Sequence, residues 1–239
     1  MQNKKWKKFE KLTAECYSNM IGAVEDGSYW EKAFELFKEI VLEERKKNSG
    51  FAFELEMIDD VTEYEYDIQG WLEDCLDEMD MRGEQEVLLK MCDGLLDLFG
   101  WPEYTGADLK FRKSTALGAL GRNEERVKYC KEWIRKEPDN IVASTAGVYA
   151  YMDVKEFEEA EKLVDRFIPD KSKCIDENDI MFTAASKLYE AMGKKKEKKQ
   201  IDKAIKEYEK YLQQYFDDMA FDEDEEDGMD FWDDDLPFN

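Results

Sequence analysis

The 239 residues include no histidine. That removes metal sites and catalytic triads built on imidazole, along with the commonest general base near neutral pH. Neither a GxGxxG nor a GxxxxGKS/T phosphate loop occurs. Only four prolines are present, so long stretches are free of helix breakers. No apolar run approaches the eighteen residues of a membrane span, and MQNKKWKKFEK has no hydrophobic segment after its lysines, so neither a membrane partner nor a secretory signal is expected. Cys16, Cys75, Cys92, Cys130 and Cys174 are odd in number and form no CxxC pair. They read as reduced core thiols of a cytoplasmic protein rather than disulfides or a zinc site. A cysteine nucleophile needs a base and an electropositive setting, and the sequence supplies neither. The inventory predicts no catalytic residues, no metal and no cofactor.

What is present is a hydrophobic share of 43%, enough for a sizeable core, with 39% charged residues around it. Apolar residues recur at helical spacing: Phe157, Ala160, Leu163, Val164, Phe167 and Ile168 make one stripe with Glu and Lys opposite. Pro102, Pro138 and Pro169 follow predicted helix ends. Strand-like alternation occurs once, at Phe51, Phe53, Leu55 and Met57, and is read as a linker or a short extra helix.

Residues 107–140, ADLKFRKSTALGALGRNEERVKYCKEWIRKEPDN, form a 34-residue block of two apolar-periodic runs around a Gly-centred break, closed by Pro-Asp-Asn. The block resembles one tetratricopeptide repeat, with Gly121 at the turn, Pro138 at the end of the second helix, and Arg126 in place of a small residue early in that helix. Further breaks near Gly27, Gly83, Lys155 and Gly193 extend the pattern. The resemblance implies an all-α, right-handed α-α superhelix of about five helical hairpins, in pairs near 1–47, 60–100, 107–138, 140–169 and 177–216. It also implies a concave groove lined by the first helix of each pair.

Charge placement suggests where a partner meets that groove. Residues 48–81 carry twelve acids and no base, and so do residues 217–239, which together account for the net charge of −24. Glu73, Asp77 and Asp80 share one face by their offsets of four and three. Mapped on the resemblance, they face the groove, followed by Asp108, Phe111 and Thr115 and then by Val142, Thr145, Tyr149 and Met152. Two readings remain open at this point: a solvated acidic face, or a negative focus that attracts a basic peptide or protein segment. DNA and RNA are disfavoured as direct ligands by the same field. Lys110 and Lys113 lack the asparagine partners of a carboxylate clamp for chaperone tails. The sequence leaves the oligomeric state unknown.

Lys194, Lys195, Lys196, Lys198 and Lys199 open the last helix, where cations oppose the helix dipole, so a compensating anion is expected, the acidic tail being nearest. That tail, 217–239, is too charged to pack and is expected to be disordered. Its tip, with Asp233, Asp234, Asp235, Leu236, Pro237 and Phe238, resembles the acidic tip of bacterial single-stranded-DNA-binding proteins, which implies a short docking motif. Asn239 displaces the terminal carboxylate by one residue. Glu223, Glu225 and Asp227 ahead of Gly228 lack the aspartates and closing glutamate of a calcium loop. The expected function is a non-catalytic adaptor holding a basic or amphipathic segment. The alternative is a ligand- or peptide-responsive regulatory sensor of the helical-repeat type.

Overall fold

Eleven α-helices and one 3-10 turn make up the regular structure of residues 4–102 and 104–226, the residues described by this computed structural model, with side chains described as far as Asp217. No strand occurs among the described residues. The chain divides into two compact units. Met1–Glu156 holds α1 (Lys4–Met20), α2 (Tyr29–Lys47), α3 (Ile58–Val61), α4 (Ile68–Met81), α5 (Gln85–Leu98), α6 (Ala107–Ala119), α7 (Asn123–Lys136) and α8 (Ile141–Asp153). Phe157–Asn239 holds α9 (Phe157–Phe167), α10 (Asp179–Ala191) and α11 (Lys195–Glu226). The division falls inside the fourth predicted pair. Helix α11 continues past residue 216, where the acidic tail begins.

One backbone device ends α1, α4, α6, α8 and α10. Gly22, Gly83, Gly121, Lys155 and Gly193 have φ of +75°, +71°, +69°, +60° and +70°. In each case the next amide reaches back five residues, from Ala23 to Ser18, Glu84 to Met79, Arg122 to Leu117, Glu156 to Tyr151 and Lys194 to Tyr189, at 2.8–2.9 Å. This 6→1 bond satisfies a carbonyl that the helix end would otherwise leave without a partner, and it turns the chain sharply. A left-handed residue without a Cβ is the easy solution. The first turn is centred on Gly22 rather than on Gly27, whose missing side chain instead admits the Arg82 guanidinium.

In the first unit α5 packs on α2, α4 and α6, while α8 packs on α6 and α7. The first helices meet through rings: Phe9 lies edge-on to Trp71 at 4.9 Å, Trp6 stacks on Tyr66 at 4.8 Å, and Phe37 stacks on Phe99 at 6.3 Å. Phe9, Trp71 and Phe37 are fully buried, and each contributes roughly 1.5–3 kcal/mol through removal from water. The long connection after α2 is neither a strand nor loose. Arg45 donates to the carbonyls of Phe51, Ala52 and Leu98, and its guanidinium lies 5.2 Å from the centre of the Phe99 ring. After the 3-10 turn at Leu55–Met57, buried Asp59 accepts from the amides of Ile68 (2.7 Å) and Gln69 (3.1 Å), capping α4 from a distance.

In the second unit α10 packs on both α9 and α11. Its buried face is Met181, Phe182, Ala185, Leu188 and Tyr189; α9 buries Ala160 and Val164, and α11 buries Ile201 and Ala204.

Nothing lies within 4 Å of a Cβ built at Gly121, so Gly121→Ala tests backbone conformation without a clash. It is expected to cost about 1 kcal/mol. Lys155→Gly is expected to stabilise by about 0.5–1 kcal/mol, the left-handed penalty less glycine's greater unfolded-state entropy. Urea denaturation reads both, and unchanged midpoints would reject the turn as a determinant of stability.

Candidate functional site

Helices α4, α6 and α8 carry the sequence-predicted site residues, and their polar groups fall into two kinds. Glu73 is exposed, and no hydrogen bond or ion pair to another described side chain involves it. Exposed Asp80 accepts from the Gln85 amide at 2.8 Å. Asp77 and Asp108, by contrast, are both neutralised by Arg112, at 2.6 and 2.7 Å. Arg112 thereby ties α4 to α6. The acidic focus read from the sequence is reduced, because its nearest cation comes from the following hairpin.

Between these helices lies a recess of about 290 Å³ with Leu72, Leu76 and Leu109 in its lining, beside Trp101 and the charged Glu73, Asp108 and Arg112. Sequence reasoning missed Arg112, although its place four residues after Asp108 is a readable i,i+4 ion-pair signal. It also missed the leucines, whose helical spacing marks them equally as core.

On α8 the predicted residues separate. Thr145 is 2% exposed and donates its hydroxyl to the Ile141 carbonyl at 2.8 Å, so it offers no handle to a ligand. Its helical offset places it toward the neighbouring helices, a direction that spacing alone does not reveal. Tyr149 and Met152 are half-buried, and Tyr149 meets Phe111 edge-on at 6.4 Å. The face therefore runs from Glu73 and Asp80 on α4, past the Arg112 bridge, to Phe111, Tyr149 and Met152. The tail positions Asp233, Asp234, Asp235, Leu236, Pro237 and Phe238 lie outside the described residues.

Two further networks fix these helices. Glu137 accepts from Lys110, from the Trp133 indole N–H at 3.0 Å and from the Asn140 amide at 2.7 Å. Asn140 in turn caps α8 through the amides of Val142 and Ala143. Burial pushes the Glu137 carboxyl upward, but Lys110, Trp133 and Asn140 together hold it below the usual glutamate value of 4.5. Lys113 pairs with Asp93 and lies 4.7 Å from the centre of the Tyr129 ring. Both lysines considered for a carboxylate clamp are thus structural.

Arg126 is buried, bonded to Ser114 at 3.1 Å and paired with Asp153. It fits because a Cβ built at Gly118 would stand 2.5 Å from its guanidinium. The space released by a glycine on α6 admits a large side chain from α7.

The lysine run finds local anions: Lys194 pairs with Glu161 at 2.6 Å and Lys198 with Asp202 at 2.8 Å. Lys195, Lys199, Lys203, Lys206 and Lys210 continue as a stripe along α11.

All five cysteines are free and buried. Burial drives the thiols of Cys16 and Cys92 up to about 12 and that of Cys174 up to about 11, and it raises Cys75 and Cys130 as well, so none is a thiolate near neutral pH. Among the described residues no group of three or more cysteine and acidic side chains is arranged to hold a metal ion. No helix among them is long and apolar enough to cross a membrane. Comparison with protein-family models, with curated proteins and with solved structures returns no match.

A carboxyl held below its ordinary value stabilises the fold above that value, and the contribution fades as pH falls through the folded-state value. Glu137→Gln is therefore expected to be less stable than the parent at pH 7, with the deficit constant down to about pH 5 and shrinking below 4.5. Thermal melts across pH 3–7 measure it, and a pH-independent deficit would assign the effect to packing alone.

Proposed function

We propose that this chain is a non-catalytic adaptor, built as a tetratricopeptide-like stack of helical hairpins, that holds a basic or amphipathic peptide on the α4–α6–α8 face. The observation that carries the reading is the leucine-lined recess between α4 and α6 with free Glu73 at its edge. An apolar floor with a carboxylate border suits a segment that presents an aliphatic anchor beside a Lys or Arg, and Phe111, Tyr149 and Met152 extend the apolar contact toward α8. Within the first unit α5 packs on α6, α6 on α7 and α8, and α7 on α8, a neighbour-on-neighbour order compatible with stacked hairpins. The protonated thiols and the missing histidine support a binding rather than a catalytic role, and five unpaired cysteines suit a reducing, cytoplasmic setting. The net negative charge argues against direct nucleic-acid binding.

A second reading, a regulatory sensor, draws on Arg112. A cationic ligand competing for Asp77 and Asp108 would release the guanidinium that ties α4 to α6, and so couple occupancy to helix spacing.

The test is titration of a labelled Arg- and Leu-containing peptide against the chain and its variants. Glu73→Lys/Asp80→Lys is expected to weaken binding at least tenfold at low salt, and less as salt screens the pair. Thr145→Val is expected to bind as the parent does. A double variant with parental affinity would sink the assignment of this face.

A further inference from the structure

Helix α11 is far longer than the helix it packs against. It has 32 residues, while α10 has 13. Its inner apolar stripe, buried at Ile201 and Ala204, does not stop where that cover ends. It continues as Tyr208, Tyr211, Leu212 and Tyr215, at offsets of three, four and seven from the first, the spacing of a helix seam made to meet another helix. Tyr211 is 60% and Tyr215 50% exposed. Such a run of large apolar side chains marks an interaction site when it is contiguous, and here it is.

The run forms one wall of an open groove of about 610 Å³, whose other wall is the α9–α10 connection, with Cys174 and Ile175 facing the tyrosines. From residue 204 to 215 the groove extends about 16 Å, or three helical turns. Its border is negative: the lining includes Asp176, Glu177 and Glu207 against the single base Lys173, with Lys203 3.5 Å from Glu207. Tyr208 donates to Asp176 at 3.1 Å. Burial first, then the hydrogen bond to Asp176 and the charges of Asp176 and Asp179, push that phenol up to about 12.

We infer that the groove between the 172–177 connection and α11 is a second docking site, distinct from the α4–α6–α8 face, for a cationic amphipathic helix of a partner protein. The partner's apolar side chains would lie on Tyr208, Tyr211, Leu212 and Tyr215, and its lysines or arginines against Asp176, Glu177 and Glu207. Charge selects this occupant over the chain's own C-terminus, because residues 217–239 bring twelve acids and no base to an acidic border.

The experiment uses the full chain and a 14-residue helical peptide with Leu and Trp at i, i+3, i+4 and i+7, Lys at the flanks and one photoreactive leucine analogue. Binding in the micromolar range is expected, with crosslinks mapping to residues 172–177 and 204–215. Tyr211→Ser/Tyr215→Ser and, separately, Asp176→Lys/Glu177→Lys are expected to weaken it at least tenfold while leaving the helical circular dichroism intact. A peptide with Glu in place of Lys is expected to bind at least tenfold more weakly. Glu73→Lys/Asp80→Lys is expected to leave these crosslinks unchanged, so this site and the α4–α6–α8 face stand or fall separately. No binding, crosslinks confined to other residues, or equal affinity of the variants would overturn the inference. A tenfold gain on deleting residues 227–239 would overturn it by making the tail the occupant, and dimerisation abolished by the tyrosine substitutions would do so by making the occupant a second copy.

Discussion

Antiparallel helices can pack along their length only if the chain reverses within a few residues without leaving carbonyls stranded. Here the reversal after α1, α4, α6 and α10 is achieved by one left-handed residue and one amide reaching back five positions, and the same closure ends α8. That short closure sets where the following helix starts, and so which faces meet. The buried surface then follows from ordinary amphipathic spacing, as on α2, where Ala33, Phe34, Phe37, Ile40 and Val41 all turn inward. Lys155 shows that the device does not depend on glycine: the same bond forms at φ +60°, with strain that the packed helices tolerate.

Helix positions were legible because turn chemistry and apolar period coincide in the sequence. Gly83, Gly121 and Gly193 each mark a turn, and Pro138 and Pro169 each follow a helix end. The segment after α2 was not legible. Phe51, Phe53 and Leu55 alternate like a strand, but their neighbourhood is organised by Arg45, which holds the carbonyls of Phe51 and Ala52 together with that of Leu98, far along the chain. A hydrogen-bond hub of this kind leaves no periodic trace. Arg126 is a similar case: as a departure from a small residue it reads as a defect, and only with Gly118 and Asp153 in place does its fit become visible.

The acidic block shows why net charge by itself does not define a site. Of its twelve carboxylates, Asp59 caps α4, Glu78 pairs with Arg82, Asp74 accepts from Tyr17, Asp60 from Tyr64, Asp77 from Arg112 and Asp80 from Gln85. At least half of the block is engaged in holding the first unit together. Tyr17, Gln85 and Arg112 lie on α1, α5 and α6, so counting acids in a window cannot separate a capping carboxylate from a free one. Among the five acids of α4, Glu73 stands out only by elimination.

The same elimination applied to α11 reaches the opposite result for its two faces. The lysine run, for which the sequence predicts a compensating anion, is partly neutralised within the second unit, by Glu161 at Lys194 and Asp202 at Lys198. Its remaining ammonium groups sit on flexible stems in water, where each ion pair is worth little. The tyrosine face, unremarked in the sequence because its spacing is that of any helix core, keeps large rings in water with no helix of the described residues packed over them. Exposed rings cost free energy in proportion to their area, whereas exposed lysines cost almost none. A partner therefore gains more by covering Tyr211 and Tyr215 than by meeting the lysines, and the unpaired apolar seam, not the charge run, is where association on α11 is driven.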